Sequence, residues 1–168
     1  MNLEKRCEKS NISDNCKREM FAQKNGNIFL KQILVISWHG QNSTSHRNAL
    51  AVCAAQNSFL TSIINSAEME FISEIYYNSC VKFTGKFAEL AGNDTYLIGL
   101  LKDGNEWYWI DNYTELNYTN WRILEPNGCC GTNVKCAAAN WNGMTDGQWN
   151  DIDCEDIPSA NFVCKKSL

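Results

Sequence analysis

Two short segments place oxygen donors in a pattern suited to holding a cation. In "LEPNGCC" (124–130), Glu125 and Asn127 stand on either side of Pro126. Proline is rare in this chain, the other one being Pro158. In "QWNDIDC" (148–154), Asn150 and Asp151 are adjacent. Each segment thus pairs a carboxylate with a carboxamide. A calcium ion takes six to eight oxygen ligands in flexible geometry, and Asp151 can add its backbone carbonyl to the side-chain donors. Glu125 with Asp151 could also be imagined as a glycosidase acid pair. Each acid is flanked by a carboxamide, which suits coordination better than proton transfer. No Ser/His/Asp or Cys/His grouping is visible for nucleophilic catalysis. The expectation is a binding protein, not an enzyme.

These segments need a framework, and the chain supplies strand and helix signals around them. "IFLKQILVIS" (28–37) is apolar and β-rich, and predicts a strand. "STSHRNALAVCAAQ" (43–56) predicts a helix with a Ser or Thr cap and an apolar face of Ala49, Leu50, Val52 and Cys53. "NSAEMEFISEIYYN" (65–78) predicts a second helix. Asn65 or Ser66 would cap it, and Glu68 follows Asn65 by three residues, as in a capping box. "TYLIGLL" (95–101) and "EWYWI" (106–110) predict strands joined by a turn at 103–105. Residues 111–148 are rich in Asn, Gly, Thr and Cys and show little apolar periodicity, so they predict one long functional loop. "QWNDIDC" and "NFVCKK" (161–166) predict closing strands. Strand, two helices, then strands around a long loop is an α+β order. Residues 1–27 are polar and predict an irregular N-terminal arm, with the domain at 28–168.

Composition narrows the class further. A 168-residue chain can bury one substantial core, and 44% hydrophobic with 20% charged residues argues for a globular domain. The net charge of −4 offers no basic patch for nucleic acid or an anionic membrane. The longest apolar run, "ILVISW" (33–38), is too short to span a bilayer. Nine cysteines and five N-x-S/T triplets, at Asn11, Asn42, Asn93, Asn112 and Asn117, favour an oxidising, extracellular setting. "MNLEKRCEKS" lacks an apolar segment, so a leader or membrane stalk is expected to be removed or to lie outside this chain. Two histidines, His39 and His46, and no C-x-x-C spacing argue against structural zinc. An odd cysteine count leaves one thiol free or available to a second chain. Cys7 and Cys16 are close enough in sequence for a tentative bridge. Adjacent cysteines rarely bridge each other, because disulfide geometry sets their α-carbons farther apart.

"ALAVC", "LIGL", "EWYWID", "YTNW", "EPN", "WND" and "FVC" follow one another in an order and spacing that resembles the C-type lectin-like domain family. The similarity runs from about residue 28 to 166. It implies a C-type lectin-like fold, with two helices flanking antiparallel sheets, and bridges Cys53–Cys164 and Cys136–Cys154; with those four assigned, Cys80 is expected to pair with Cys129 or Cys130. Each of the two implied bridges would stabilise the domain by roughly 2–4 kcal/mol. It also implies a cis Glu125–Pro126 peptide, the one kind of bond where cis is inexpensive, and one Ca2+ held by Glu125, Asn127, Asn133, Asn150 and Asp151. Sugar hydroxyls would reach the ion and the same side chains directly. The "EPN" form resembles members that favour mannose, N-acetylglucosamine and fucose, so glycans on cell or microbial surfaces are the expected partners. The alternative is a protein-binding member with weak or no calcium and sugar binding. One departure stands out: the acidic ligand usual before the loop cysteine is missing. Val134 occupies its place counted from Cys136, and Asn133 counted from Glu125, with Asp146 in reserve. Glu106 survives from an auxiliary calcium site, but Lys102 and Gly128 replace its acids. The five large aromatics Trp107, Trp109, Trp121, Trp141 and Trp149 are expected in the core, and His39 and His46 at the surface. Asp153, Glu155 and Asp156 are expected to form a solvated turn.

Overall fold

The computed structural model describes residues 15–20, 33–38, 45–81, 95–141, 144, 146–155, 157 and 160–166. Its elements in chain order are β1 (Asn15–Met20), β2 (Ile33–Trp38), α1 (His46–Ala54), β3 (Phe59–Leu60) and α2 (Ser66–Val81), then β4 (Tyr96–Asp103), β5 (Glu106–Trp109), β6 (Val134–Ala139), β7 (Trp149–Asp153) and β8 (Asn161–Lys165). The strands form one sheet in the order β1-β2-β8-β4-β6-β7, with β3 on β8 and β5 on β4. All pairings are antiparallel except β4 with β8, so the sheet is mixed. The fold is α+β, as expected.

Both helices start where their caps predict. The Ser45 hydroxyl accepts from the Asn48 N–H, and helix α1 follows. The Asn65 side chain accepts from the Glu68 N–H at 2.8 Å, which makes Asn65 the cap of α2. The reciprocal arm of the box reaches one residue farther back: Glu68 accepts from the Ile64 N–H at 2.8 Å. The other Glu68 oxygen pairs with the buried Lys165 ammonium at 2.6 Å, tying α2 to β8. Cys53–Cys164 fastens α1 to the same strand, and Cys136–Cys154 fastens β6 to the residue following β7. Both expected bridges are present. Cys7, and with it the tentative Cys7–Cys16 bridge, lies outside the described residues.

Several expectations are corrected. The N-terminal segment is not wholly irregular: Asn15–Met20 pairs antiparallel with β2 from Asn15↔Trp38 to Met20↔Ile33. Its sequence, "NCKREM", puts charged residue types on the strand at the end of the sheet order, where charge discourages pairing with a further strand. The first expected strand is present over Ile33–Trp38, and residues 28–32 lie outside the described residues. The long loop is interrupted by β6, "VKCAAA", which lies between β4 and β7. Ala137, Ala138 and Ala139 are fully buried, two of them in one core cluster with Trp109 and Trp149 and the third in the other. A strand buried on both faces has no alternation to read, and alanine is a poor strand former. Trp109 and Trp149 are core, as expected, and Trp107, Trp121 and Trp141 pack partly buried against it. His46 is buried rather than exposed, at 4%, and burial lowers its pKa to about 4.

Candidate functional site

The 120–133 loop is carried by the free edge of β7. The Trp149 N–H donates to the Asn120 carbonyl at 2.8 Å, and the Arg122 N–H donates to the Trp149 carbonyl at 2.9 Å. Beneath this seam, Trp149 meets Trp121, Tyr118 and Trp109 edge-on, with ring centroids 5.6–5.8 Å apart. Trp107 extends the stack to Trp121 at 4.9 Å. Aromatic contacts of this kind fix the start of the loop to the core. Adjacent strand residues point to opposite faces of a sheet. A loop running along the edge can therefore meet both Asn150 and Asp151.

It does so through four groups. Glu125–Pro126 is cis, as the resemblance implies. Glu125 Oε1 accepts from both carboxamides, Asn150 Nδ2 at 2.7 Å and Asn127 Nδ2 at 3.0 Å. The Asp151 carboxylate accepts from the backbone N–H groups of Asn127, at 3.1 Å, and Gly128, at 2.8 Å. Asn150 and Asp151 are nearly buried, at 8% and 6% exposure, whereas Glu125 is half-buried and Asn127 exposed. The result is a shallow, oxygen-rich surface with a buried floor.

Its electrostatics are unbalanced. Burial first, and then the Asp151 carboxylate facing it, raise the Glu125 pKa above its ordinary value of 4.5. The Asn127 N–H and the Asn150 amide pull the other way. Glu125 Oε2 and Asn150 Oδ1 are buried with no hydrogen-bond partner among the described residues. Unmet buried acceptors beside two facing carboxylates are unfavourable for the protein alone. A hard cation would satisfy both oxygens and offset the repulsion, so this donor set fits calcium. Among the described residues no group of three His, Cys, Asp or Glu side chains converges. An ion here would depend on carboxamide as well as carboxylate oxygens.

The other predicted residues stand outside this network. The Asn133 side chain bonds to none of the four. Its N–H donates to Asp153 Oδ2 at 3.0 Å, and its carbonyl accepts from Lys135 and Cys154. Asp146 is exposed and accepts from the Gln148 N–H. Lys102 lies across from Trp107 in the β4–β5 pair, with its ammonium 5.8 Å from the ring centroid. Asp153 is a correction: it is buried at 7%, not part of a solvated turn. It accepts from the N–H groups of Thr132, Asn133 and Glu155 at 2.8–3.0 Å. Its position two residues after Asp151 on a strand, hence on the same face, was the available signal. The pairing of Cys80 is corrected too, because Cys129 and Cys130 are bonded to each other. Their α-carbons are 3.7 Å apart, and Cys130 adopts a left-handed φ of 77°.

A family model for the Lectin C-type domain matches residues 42–166. Ladderlectin of Oncorhynchus mykiss is 32% identical over 111 residues, covering 64% of this chain and 51% of its own. Hepatic lectin of Gallus gallus is 30% identical over 146 residues, covering 85% of this chain and 56% of its own. The chain thus spans about half the length of these curated relatives. Among solved structures, a cow C-type carbohydrate-recognition domain of CD23, determined in the presence of a GlcNAc2Man3 oligosaccharide, superposes with a TM-score of 0.57. It is 24% identical, and the match covers 79% of this chain and 88% of that one. With the family match spanning most of the described sheet and both sides of the loop site, the chain belongs to the C-type lectin domain family.

Proposed function

We propose that the domain binds one calcium ion through Glu125, Asn127, Asn150 and Asp151, with Asn133 as a fifth ligand, and thereby recognises mannose, N-acetylglucosamine or fucose-type glycans. Membership of the family supports a carbohydrate-binding module rather than an enzyme. The observation that carries the calcium reading is the pair of buried oxygens without donors, Glu125 Oε2 and Asn150 Oδ1, beside the facing Asp151 carboxylate. When bound, the ion supplies a positive centre on which vicinal sugar hydroxyls replace water. Carboxylate oxygens of the site accept from those hydroxyls, and the carboxamide N–H groups of Asn127 and Asn150 donate to them, so each hydroxyl both donates and accepts. Carboxamide at Asn133 in place of an acid leaves one negative charge fewer, which weakens calcium binding relative to a three-acid site.

A shallow site of this kind holds a single sugar with a Kd on the order of 1 mM, about −4 kcal/mol. Useful avidity then requires several sites held together, and the odd cysteine is one route to a linked pair. The bridges Cys53–Cys164 and Cys136–Cys154 support an extracellular setting. No helix among the described residues is long and apolar enough to cross a membrane. Retention on immobilised mannan, released by a calcium chelator, is the expected behaviour. Retention that ignores the chelator, or none at all, would reject the proposal.

A further inference from the structure

The bond between Cys129 and Cys130 joins residues one apart in sequence, against separations of 111 and 18 for the other two. A disulfide stabilises a fold mainly by closing a loop in the unfolded chain, and the gain grows with loop length. A bond between neighbours closes no such loop. Whatever it does for the protein is local, and its locality is the calcium and sugar loop. The Cys129 N–H donates to Asn127 Oδ1 at 2.6 Å, so the bonded pair abuts a side chain of the site. A carbonyl oxygen has two lone pairs, and this contact leaves one for a ligand. The loop is anchored on both flanks. Asp151 holds the N–H groups of Asn127 and Gly128, and Asp153 holds those of Thr132 and Asn133. Between the anchors Cys130 keeps φ at 77°, a left-handed backbone that a residue with a side chain retains only when held there. Accessibility separates this bond from the rest. Cys129 and Cys130 are both exposed, whereas Cys53, Cys136 and Cys164 are fully buried and Cys154 is half-buried.

Building on the calcium reading above, we infer that Cys129–Cys130 is a reducible clamp that holds Asn127 in its binding position, and that a dithiol reductant opens it selectively and weakens the site. A thiolate of the reductant attacks one exposed sulfur, and the S–S bond breaks as the mixed disulfide forms. The second thiolate of the reductant then closes its own disulfide and expels the remaining cysteine sulfur. Two electrons pass to the cysteine pair, the dithiol is oxidised, and each released thiolate takes a proton from water. Cys130 is then free to leave the left-handed region, and the contact from the Cys129 N–H to Asn127 is lost with it.

The test uses the full chain in two forms: protein treated with limiting dithiothreitol, and the double variant Cys129→Ser/Cys130→Ser. Alkylation mapping by mass spectrometry should find Cys129 and Cys130 labelled while Cys53–Cys164 and Cys136–Cys154 stay closed. Calcium affinity measured by calorimetry should fall roughly tenfold or more in both forms, the scale expected when a group supporting a metal ligand is lost. Hydrogen exchange at the Cys129 amide of the metal-free protein should speed up in both. Affinity within twofold of the oxidised protein, with unchanged exchange at Cys129, would overturn the clamp. If the oxidised protein takes up no calcium, the function proposed above fails. The exchange measurement still decides the clamp: faster exchange sustains it and unchanged exchange removes it.

Discussion

Asp151 and Asp153 stand two residues apart on β7, both nearly buried, and both accept backbone N–H groups from the same 127–133 loop. Their surroundings differ. Asp153 is fully employed as an anchor: three N–H groups point at its carboxylate, and a side chain on Gly131 would collide with it. Asp151 also anchors two N–H groups, but it faces a second carboxylate, Glu125, and lies beside buried oxygens that lack donors. Burial and acidity are therefore common to both and do not distinguish the proposed ligand from the strut. What distinguishes them is whether the protein alone satisfies the oxygens around the charge.

The largest effect should come from removing the strut. Asp153→Ala strips a charged acceptor from Thr132, Asn133 and Glu155. Water can reach part of this exposed segment, so the net loss should be about 3 kcal/mol. Thermal unfolding should then show a Tm roughly 6–12 °C lower. A change of less than about 1 kcal/mol would erase the difference drawn between the two aspartates.

Asp151→Asn makes the complementary case. The substitution keeps a carbonyl acceptor for one loop N–H, loses one, and relieves the repulsion against Glu125. These changes offset, so the metal-free protein should keep its stability within about 1 kcal/mol. Calcium affinity, in contrast, should drop by at least about 100-fold, near 2.7 kcal/mol. Parallel calorimetry and thermal melts on the two variants would read the contrast directly. A strongly destabilised Asp151→Asn protein would place Asp151 with Asp153 as a strut.

How much of this was legible in the sequence depended on whether a residue's role is local. Asn65 and Glu68 announce a helix start because capping joins residues three or four apart, and the structure bears them out. The proposed ligands Glu125, Asn127, Asn150 and Asp151 are named by the chemistry of two short segments and the family resemblance, and the structure brings the four into one hydrogen-bonded group. Three features escaped. The β6 strand is alanine-rich and buried on both faces, so neither propensity nor alternation marks it. Asp153 sits among other acids in "DIDCED", which reads as a solvated turn until strand β7 is seen to extend through it. The Cys129–Cys130 bond runs against the usual α-carbon spacing of disulfides. It becomes intelligible only with Cys130 in a left-handed conformation at a loop turn.

The smallest effect is electrostatic, and it separates the two aspartates without calcium. The Glu125 pKa is raised, so in the metal-free protein this group favours folding below its ordinary value of 4.5. That contribution is lost as pH rises through the folded value. Calcium uptake needs the ionised carboxylate, so affinity should climb with pH over the same interval. His46 acts in the opposite sense. Burial lowers its pKa from 6.5 to about 4, so its contribution is present above 6.5 and disappears as pH falls toward 4. Global stability therefore mixes the two, and the carboxyl itself must be watched. Carbon NMR of the Glu125 side chain should show its titration midpoint moving down toward 4.5 in Asp151→Asn, because the facing charge is gone. Burial, the larger cause, remains, so the return should be incomplete. Asp153→Asn should leave the midpoint where it is, since the strut's charge is directed at the N–H groups of 132, 133 and 155. Equal shifts in both variants would mean that Glu125 senses the acidity of the whole strand, and the separation between ligand and strut would not hold.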